Sequence, residues 1–367
     1  MDSSLKHPKV NFDSGNTNQK IKMRSTKTKI IETDALIIGA GPVGLFAVFE
    51  LGLLGIKAHV IDILNKPGGQ CAELYPEKPI YDIPGFPMIT GQNLCDNLMQ
   101  QIKPFNPIFH FSELAETLIR TDNGSYEVET NGGLAFNAKI IVIAAGGGSF
   151  EPKRPPIKNI EHYEGHSVLY SIGKINDFAG KSIVIVGGGD SALDWTIALQ
   201  KVAKNITLVH RRDKFTGAVS SVQKVMELRD KNKILFKIGQ ITEIIENQNK
   251  MTGVVFKSEE QKLKIDCDIL MPFFGLTMNI GPLIDWGLSI DNKRIAVNTE
   301  TFETNLPGVF AIGDINIYPG KLKLILSGFH ESALMAHAAY KIIFPTDNLV
   351  FQYTTSSSSL QKKLGII

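Results

Sequence analysis

Short apolar runs that end in glycine recur along the chain, and each is followed by apolar positions with helical spacing. The first run covers residues 35–38, and the helical pattern after it covers residues 43–54. A second short strand is predicted at residues 58–61. Strand, glycine turn, helix and strand in this order are typical of a parallel sheet with right-handed crossovers. The pattern therefore predicts an α/β fold with a nucleotide site at the first turn.

The same order returns about 150 residues later. Here the predicted elements are a strand at residues 182–186, a glycine turn at 187–189, a helix at 190–202 and a strand at 206–210. A repeated unit of this kind predicts two Rossmann-like nucleotide-binding domains, each with three layers (ββα/βαβ).

Glycines and prolines mark where one domain passes into the other. An apolar strand at residues 140–144 ends in three glycines and leads into three prolines, which is typical of a domain exit. We predict connecting strands at residues 146–156 and 271–279. The first domain is then discontinuous, and the second is inserted into it. Polar residues without periodicity predict a disordered N-terminal extension. The predicted parts are the extension at 1–33, the first domain at 34–152 and 278–367, and the inserted domain at 153–277.

Composition and charge narrow the possible partners. The chain is 43% hydrophobic and 21% charged, which is typical of a folded protein. Its net charge is only +2, and the basic excess lies in the extension, so we expect no nucleic-acid partner. No apolar run approaches the roughly 18 residues of a membrane span, so no membrane insertion is expected. Three cysteines without metal or disulfide spacing favour a reducing cytoplasm.

The first glycine turn has the spacing of a dinucleotide-binding motif. In such motifs one glycine permits the tight turn, the next lets the backbone approach a pyrophosphate, and the last lets helix and strand pack closely. An aspartate at the end of the next strand is placed to accept a hydrogen bond from ribose hydroxyls. The alternative is an ordinary glycine turn followed by an exposed aspartate. The candidate residues are Gly39, Gly41, Pro42, Gly44 and Asp62.

The second glycine turn differs at the strand that follows it. That strand ends in two arginines where an acid would favour NAD(H), and arginines suit a 2′-phosphate. The second turn therefore predicts an NADP(H) site. Two different nucleotide sites in one chain suggest a flavoprotein, with FAD at the first turn. The alternative is that both arginines are solvated surface charges. The candidate NADP(H) residues are Gly187, Gly189, Asp190, Ser191, Ala192, Arg211 and Arg212.

Several segments between and after the turns are more specific than either glycine motif. Together they resemble the ferredoxin/flavodoxin–NADP reductases of the thioredoxin-reductase-like type, over the chain from about Thr33 onward. The segments that carry the resemblance are residues 68–70, 74–78, 80–87, 187–195, 209–215 and 308–314.

The resemblance implies an enzyme with two cofactors. A hydride would pass between NADPH and FAD, and single electrons would pass between FAD and a ferredoxin or flavodoxin. A homodimer and a rotation between the domains are also implied. Tyr75 and Tyr353 would stack on the two faces of the flavin ring, and no side chain would act as acid, base or nucleophile. The further FAD residues that the resemblance implies are Gly69, Gln70, Tyr75, Asp314, Tyr353 and Thr354.

The chain also departs from related patterns. Thioredoxin reductases carry Cys-x-x-Cys before the second glycine turn, but residues 165–180 contain no cysteine, and Cys71 has Pro76 where a disulfide partner would stand. A disulfide reductase would therefore need an external dithiol. A slowly reacting redox sensor that binds FAD and NADPH is a second alternative. Thr216 replaces an arginine that the family usually has, which predicts weaker NADPH binding or weaker preference over NADH.

Overall fold

The computed structural model describes residues 30–349 and 353–363. The first part of the described chain forms twelve helices and strands, the last of which belongs to the connection between the two halves. They are β1 (Ile30–Ile38), α1 (Pro42–Leu53), β2 (Ala58–Asp62), α2 (Gly69–Glu73), β3 (Pro79–Ile80), β4 (Ile89–Thr90), α3 (Gly91–Ile102), β5 (Ile108–Phe111), β6 (Ala115–Arg120), β7 (Tyr126–Thr130), β8 (Ala135–Ile143) and β9 (Ser149–Pro152).

The middle of the chain forms a second set of strands and helices. They are β10 (Ser182–Val186), α4 (Asp190–Leu199), β11 (Asn205–His210), α5 (Val219–Asp230), β12 (Leu235–Ile238), β13 (Gln240–Asn247), β14 (Lys250–Lys257), β15 (Lys262–Asp266) and β16 (Ile269–Pro272).

The last part of the chain returns to the first set. Its elements are β17 (Leu276–Asn279), β18 (Ile290–Asp291), β19 (Arg294–Ala296), β20 (Val309–Ala311), β21 (Asn316–Ile317), α6 (Ile325–Ile343) and α7 (Ser358–Lys363). Short 3-10 helices connect some of the elements along the chain, at Lys103–Phe105, Ile160–Tyr163, Ile175–Phe178, Gly281–Trp286, Gly313–Ile315 and Thr354–Ser356.

The first sheet has seven strands in the order β5-β2-β1-β8-β7-β6, and β20 also pairs with β8. Strands β5, β2, β1, β8 and β20 are parallel, whereas β6, β7 and β8 form an antiparallel meander. Alternate residues of β1 enter different cores: Ala35 and Ile37 pack with the helices, and Leu36 and Ile38 pack with the meander. This period of two places helices on one face of the sheet and strands on the other.

The second sheet repeats this design with four parallel strands in the order β12-β11-β10-β16. Ile183 and Ile185 of β10 pack with α4 and α5, whereas Val184 and Val186 pack with the antiparallel sheet β13-β14-β15. The sequence prediction of an α/β fold with two Rossmann-like, three-layer units is therefore confirmed.

The two halves are connected by an antiparallel pair, β9 with β17, whose register runs from Ser149 opposite Asn279 to Pro152 opposite Leu276. Both strands lie where connecting strands were predicted. The domain boundaries themselves stay predictions. Within the described part of the chain, no helix is both long enough and apolar enough to span a membrane.

Order begins earlier than the sequence suggested. Residues 30–33 were predicted to belong to a disordered extension, but they form the start of β1. Ile30 pairs with Ala135 and Thr33 with Ala138, so β8 supplies the backbone partners for this polar segment. Glu32 and Thr33 are polar, so the start of β1 lacks the apolar run that would predict a strand. The rest of the predicted extension, residues 1–29, lies outside the described residues, as do residues 350–352 and 364–367.

Candidate functional site

A cavity of about 390 Å³ opens at the carboxyl ends of β1, β2 and β8. Ligands of open α/β sheets bind at this edge, because the loops after the parallel strands meet there. The cavity lining includes four of the five residues predicted at the first glycine turn, and Gly44 lies behind it. The lining residues predicted from the sequence are Gly39, Gly41, Pro42, Asp62, Gly69, Gln70, Tyr75 and Asp314.

Each of the three positions in the first turn is occupied by glycine for a different steric reason. Gly39 has φ +112°, and a Cβ added there would lie 2.4 Å from the oxygen of Ala144. A Cβ added at Gly44 would lie 1.9 Å from the oxygen of Gly39. A Cβ added at Gly41 would lie 4.0 Å from Gly69 Cα and, beyond its chain neighbours, would meet no other described residue within 4 Å. Gly39 and Gly44 are therefore needed by the fold, whereas Gly41 keeps space open in front of the helix.

The helix that follows presents its N-terminus to the cavity. Pro42 is the first residue of α1, and Gly41 is its N-cap without a side-chain hydrogen bond. Unpaired N–H groups and the helix dipole favour an anion at such a place. The turn thus fits a pyrophosphate.

Asp62 lies at the end of β2, and its carboxylate is fixed by the backbone. Its Oδ2 accepts a hydrogen bond from the N–H of Ala40 at 2.6 Å, and its Oδ1 accepts one from Leu64 at 2.8 Å. Burial raises the pKa of Asp62, and the two backbone hydrogen bonds oppose that rise. A carboxylate oxygen can accept more than one hydrogen bond, so Asp62 can still receive a ribose hydroxyl.

Glu113 is a cavity residue that the sequence analysis missed. Its backbone N–H donates to the oxygen of Asp62 at 3.0 Å, which places it beside that residue. Its Oε2 is buried and has no hydrogen-bond partner among residues 30–349 and 353–363. Buried acceptors are normally satisfied, so this oxygen fits a ligand that carries a donor group. No motif marks Glu113, because only the pairing of β5 with β2 brings it to this edge.

Tyr75 lines the cavity between two thiols and the second half of the chain. Its hydroxyl lies 3.5 Å from Cys71 Sγ, and burial raises the pKa of Tyr75. Cys71 and Cys95 belong to one small buried cluster. Interaction with Cys95 lowers the pKa of the Cys71 thiol. Tyr75 is therefore a neutral aromatic wall, and Cys95 from α3 is a neighbour that sequence spacing did not reveal.

The loop after Tyr75 is held by the second half of the chain. Lys78 Nζ lies 2.7 Å from a carboxylate oxygen of Asp194 on α4. The carboxylate of Glu77 accepts a hydrogen bond from the N–H of Ile175 at 2.8 Å. These two contacts tie the loop that follows the aromatic wall to the second half of the chain.

Two predicted FAD residues are not brought to the cavity. Tyr353 is 70% exposed, and neither Tyr353 nor Thr354 is part of the cavity lining. The predicted stacking of Tyr353 on a flavin stays a prediction. Cavity residues that the sequence analysis did not single out include Ser149 and Asn279.

The second glycine turn is built like the first. Gly187 has φ +156°, and an added Cβ would lie 2.7 Å from the oxygen of Phe273. Gly189 is the N-cap of α4 without a side-chain hydrogen bond. Asp190 Oδ1 accepts a hydrogen bond from the N–H of Ala218 at 2.7 Å, which folds the next loop over the turn. Ser191 is exposed in the first helical turn, and Ala192 is buried against the sheet.

The loop after β11 carries the two predicted arginines. Arg211 and Arg212 are exposed, and neither forms an ion pair with another described residue. The ring of His210, which precedes them, packs against the second turn, because a Cβ added at Gly188 would lie 2.3 Å from it. Burial lowers the pKa of His210, and the charges of Arg211 and Arg212 lower it further. Two unneutralised guanidinium groups beside a glycine turn fit a 2′-phosphate.

Comparisons with known proteins agree with this geometry. The model of the pyridine nucleotide-disulphide oxidoreductase family matches residues 33–340. Proteins named ferredoxin–NADP reductase from two Bradyrhizobium strains, ORS 278 and BTAi1, are 57% and 58% identical to this chain over 340 residues. Each match covers 92% of this chain and 99% of the relative.

Solved thioredoxin reductases share the fold. The enzyme from Lactococcus lactis superposes with a TM-score of 0.71 at 24% identity, over 85% of this chain and 99% of that one. The enzyme from T. acidophilum gives a TM-score of 0.71 at 25% identity, over 84% and 98%. The chain belongs to the pyridine nucleotide-disulphide oxidoreductase family and, within it, to the ferredoxin–NADP reductases.

Proposed function

We propose that this protein is a ferredoxin–NADP reductase that binds FAD at the first glycine turn and NADP(H) at the second. The observation that carries the proposal is the contrast between the two sites. The first turn opens into a cavity with the buried Asp62, and the second turn lies beside the exposed Arg211 and Arg212. The high identity to ferredoxin–NADP reductases supports ferredoxin, or a flavodoxin, as the electron-transfer partner.

The residues of the chain would bind and orient the cofactors. When bound, FAD supplies the conversion between two-electron transfer with NADP(H) and one-electron transfer with ferredoxin. Gly41 and the N-terminus of α1 would hold the pyrophosphate, and Asp62 would accept the ribose hydroxyl. Tyr75 would cover the ring and exclude water from one face, with Tyr353 as the proposed cover of the other face. No side-chain acid or base is required.

A disulfide reductase that relies on an external dithiol is less well supported. Cys71 and Cys95 are both only 2% exposed, so a protein disulfide could not reach them without a change of structure. Cys267 is buried in a different cluster, in the second half of the chain.

Anaerobic assay of the purified holoprotein tests the proposal. NADPH is added to the protein and a ferredoxin, with NADH in a parallel assay, and reduction of ferredoxin is followed by absorbance. Fast reduction with NADPH supports the proposal. If NADPH bleaches the flavin while ferredoxin stays oxidised, the acceptor is wrong, and disulfide and quinone acceptors are assayed next. If NADPH leaves the flavin oxidised, the redox-sensor alternative is favoured.

A homodimer in the cytoplasm is part of the proposal. Tyr81, Phe86 and Met88 are 70%, 42% and 52% exposed within one short loop, and clustered exposed apolar side chains are typical of protein interfaces. The three free cysteines suit a reducing compartment. Light scattering of the holoprotein tests the dimer, and cell fractionation tests the compartment.

Thr216→Arg is expected to strengthen NADPH binding. Thr216, in the loop after β11, lies against the second turn, where its N–H and its hydroxyl donate to the oxygen of Gly188 at 2.8 and 3.2 Å. The backbone bond survives the substitution, and an arginine there adds a third cation near the proposed phosphate. We expect the KM for NADPH to fall by about 3- to 10-fold, as one exposed charge-assisted bond would give. Thr216→Gln is the uncharged control, and an equal KM in both variants contradicts the prediction.

A further inference from the structure

Helix α6 carries a glutamate, Glu331, that is fully removed from solvent. Its side chain is 0% exposed, and the side chain of its ion-pair partner, Lys321, is 2% exposed. α6 belongs to an apolar core that also contains Phe302 and Ile312. Burial of two charges adds little to stability, because apolar residues of similar size often support a fold equally well. The presence of the pair therefore points to a role other than stability.

The contacts of the carboxylate divide between its two oxygens. Oε2 accepts hydrogen bonds from the N–H of Gly313 at 2.7 Å and from Nδ2 of Asn316 at 2.9 Å. Oε1 accepts from the hydroxyl of Tyr318 at 2.9 Å and from the ammonium of Lys321. Burial and the bond to Glu331 raise the pKa of Tyr318 to about 12, so its hydroxyl stays a donor at neutral pH. Oε2 thus holds the backbone turn at Gly313, and the contacts of Oε1 fix the carboxylate in place.

The turn held by Glu331 forms part of the cofactor cavity. Gly313 and Asp314 both line the cavity, and Gly313 has φ +78°, a conformation that favours glycine. A Cβ added at Gly313 would lie 3.4 Å from the side chain of Val43, another cavity residue on α1. Because the N–H of Gly313 donates to Glu331, rotation of this peptide would break a buried hydrogen bond. The wall of the cavity is therefore fixed before any ligand arrives.

We propose that Glu331 is a positioning residue for the flavin cofactor, which acts by accepting the N–H of Gly313 and so fixing the cavity wall at Gly313 and Asp314. The inference rests on the proposed function, because it takes FAD as the occupant of the cavity. A wall that is ordered in advance loses less conformational freedom on binding, and this gain appears as affinity. Loss of the acceptor is therefore expected to weaken FAD binding and to change the environment of the bound flavin.

Two double variants separate positioning from stability. Lys321→Met with Glu331→Leu removes both charges and the acceptor. Lys321→Met with Glu331→Gln removes both charges but keeps an amide oxygen that can accept the N–H of Gly313. Removing both charges avoids an unpaired buried ion, which would destabilise the protein for an unrelated reason. The measurements are the dissociation constant of FAD by flavin fluorescence, the visible spectrum of bound FAD, and the melting temperature of the FAD-free protein.

We expect the leucine variant to bind FAD about 10- to 100-fold more weakly than wild type, the range expected for one lost hydrogen bond to a charged group. The glutamine variant should recover most of the affinity and the wild-type flavin spectrum. The leucine variant also leaves the buried donors of Asn316 and Tyr318 without an acceptor, so its FAD-free form should melt at a lower temperature. Equal FAD affinities in the two variants, or a wild-type visible spectrum of bound FAD in the leucine variant, overturn the inference. A wild-type protein that binds no FAD overturns the proposed function as well.

Amide exchange provides a second measurement if the leucine variant does not fold. In the folded, FAD-free glutamine variant, the amide hydrogen of Gly313 should exchange slowly, as in wild type. Fast exchange there would show that the side chain at position 331 does not hold the turn. Glu227→Gln is the control. It also changes a carboxylate to an amide, but at an exposed position of α5 that does not line the cavity.

Discussion

Gly41→Ala is expected to weaken FAD binding while the FAD-free protein keeps its fold. The backbone of Gly41 has φ −70°, which alanine adopts without strain. A Cβ there would meet only Gly69 Cα at 4.0 Å, an ordinary contact. The added methyl group therefore clashes only with a ligand that lies against the glycine turn. Overpacking by one methyl group costs about 1–3 kcal/mol, so the dissociation constant of FAD should rise about 5- to 150-fold.

Two other glycines provide controls for this variant. Gly44→Ala places a Cβ 1.9 Å from the oxygen of Gly39, so it should lower the melting temperature of the FAD-free protein itself. At Gly173 an added Cβ would meet none of the described residues within 4 Å apart from its chain neighbours, so Gly173→Ala should change neither property. FAD titration and thermal melting of the three variants check the prediction. A Gly41→Ala protein that binds FAD as tightly as wild type would show that the pyrophosphate does not approach this turn.

Local patterns explain why so much of the fold was predictable. Each glycine turn joins a strand to the helix that follows it, so the residues of the turn are close in the sequence as well as in space. The alternation of Ile183, Val184, Ile185 and Val186 likewise follows from one strand with two covered faces. Where a polar strand needs a distant partner, as Ile30 and its neighbours need β8, the prediction failed.

The parts of the site that were missed depend on contacts between distant segments. Glu113 becomes a cavity residue only because β5 pairs with β2. Cys95 reaches Cys71 because α3 packs on α2. Glu331 lies 18 residues from Gly313, with no motif that joins the two. Single-sequence patterns record spacing along the chain, so they identify turns and strand ends but not the side chains that the fold brings to them.

Neutralising Arg211 and Arg212 together is expected to raise the KM for NADPH about 100-fold or more and to leave the KM for NADH nearly unchanged. A hydrogen bond to a charged group contributes about 1.5–3 kcal/mol. Each substitution would remove at least one such bond to the 2′-phosphate of NADPH. Both side chains are exposed and have no carboxylate partner among the described residues, so their removal breaks no internal contact. Fold and FAD content should therefore stay as in wild type, and only the cofactor that carries a 2′-phosphate should be affected.

A second pair of cations gives the matched control. Lys201 and Lys204 are exposed and precede β11, so they lie at the opposite edge of the same parallel sheet from Arg211 and Arg212. Lys201→Gln with Lys204→Gln makes the same change in net charge as Arg211→Gln with Arg212→Gln. Steady-state ferredoxin reduction at low and high salt compares the two, and the NADPH advantage should disappear only in the arginine variant. If both double variants raise the KM for NADPH equally, general electrostatic attraction explains the preference and the arginines bind no phosphate.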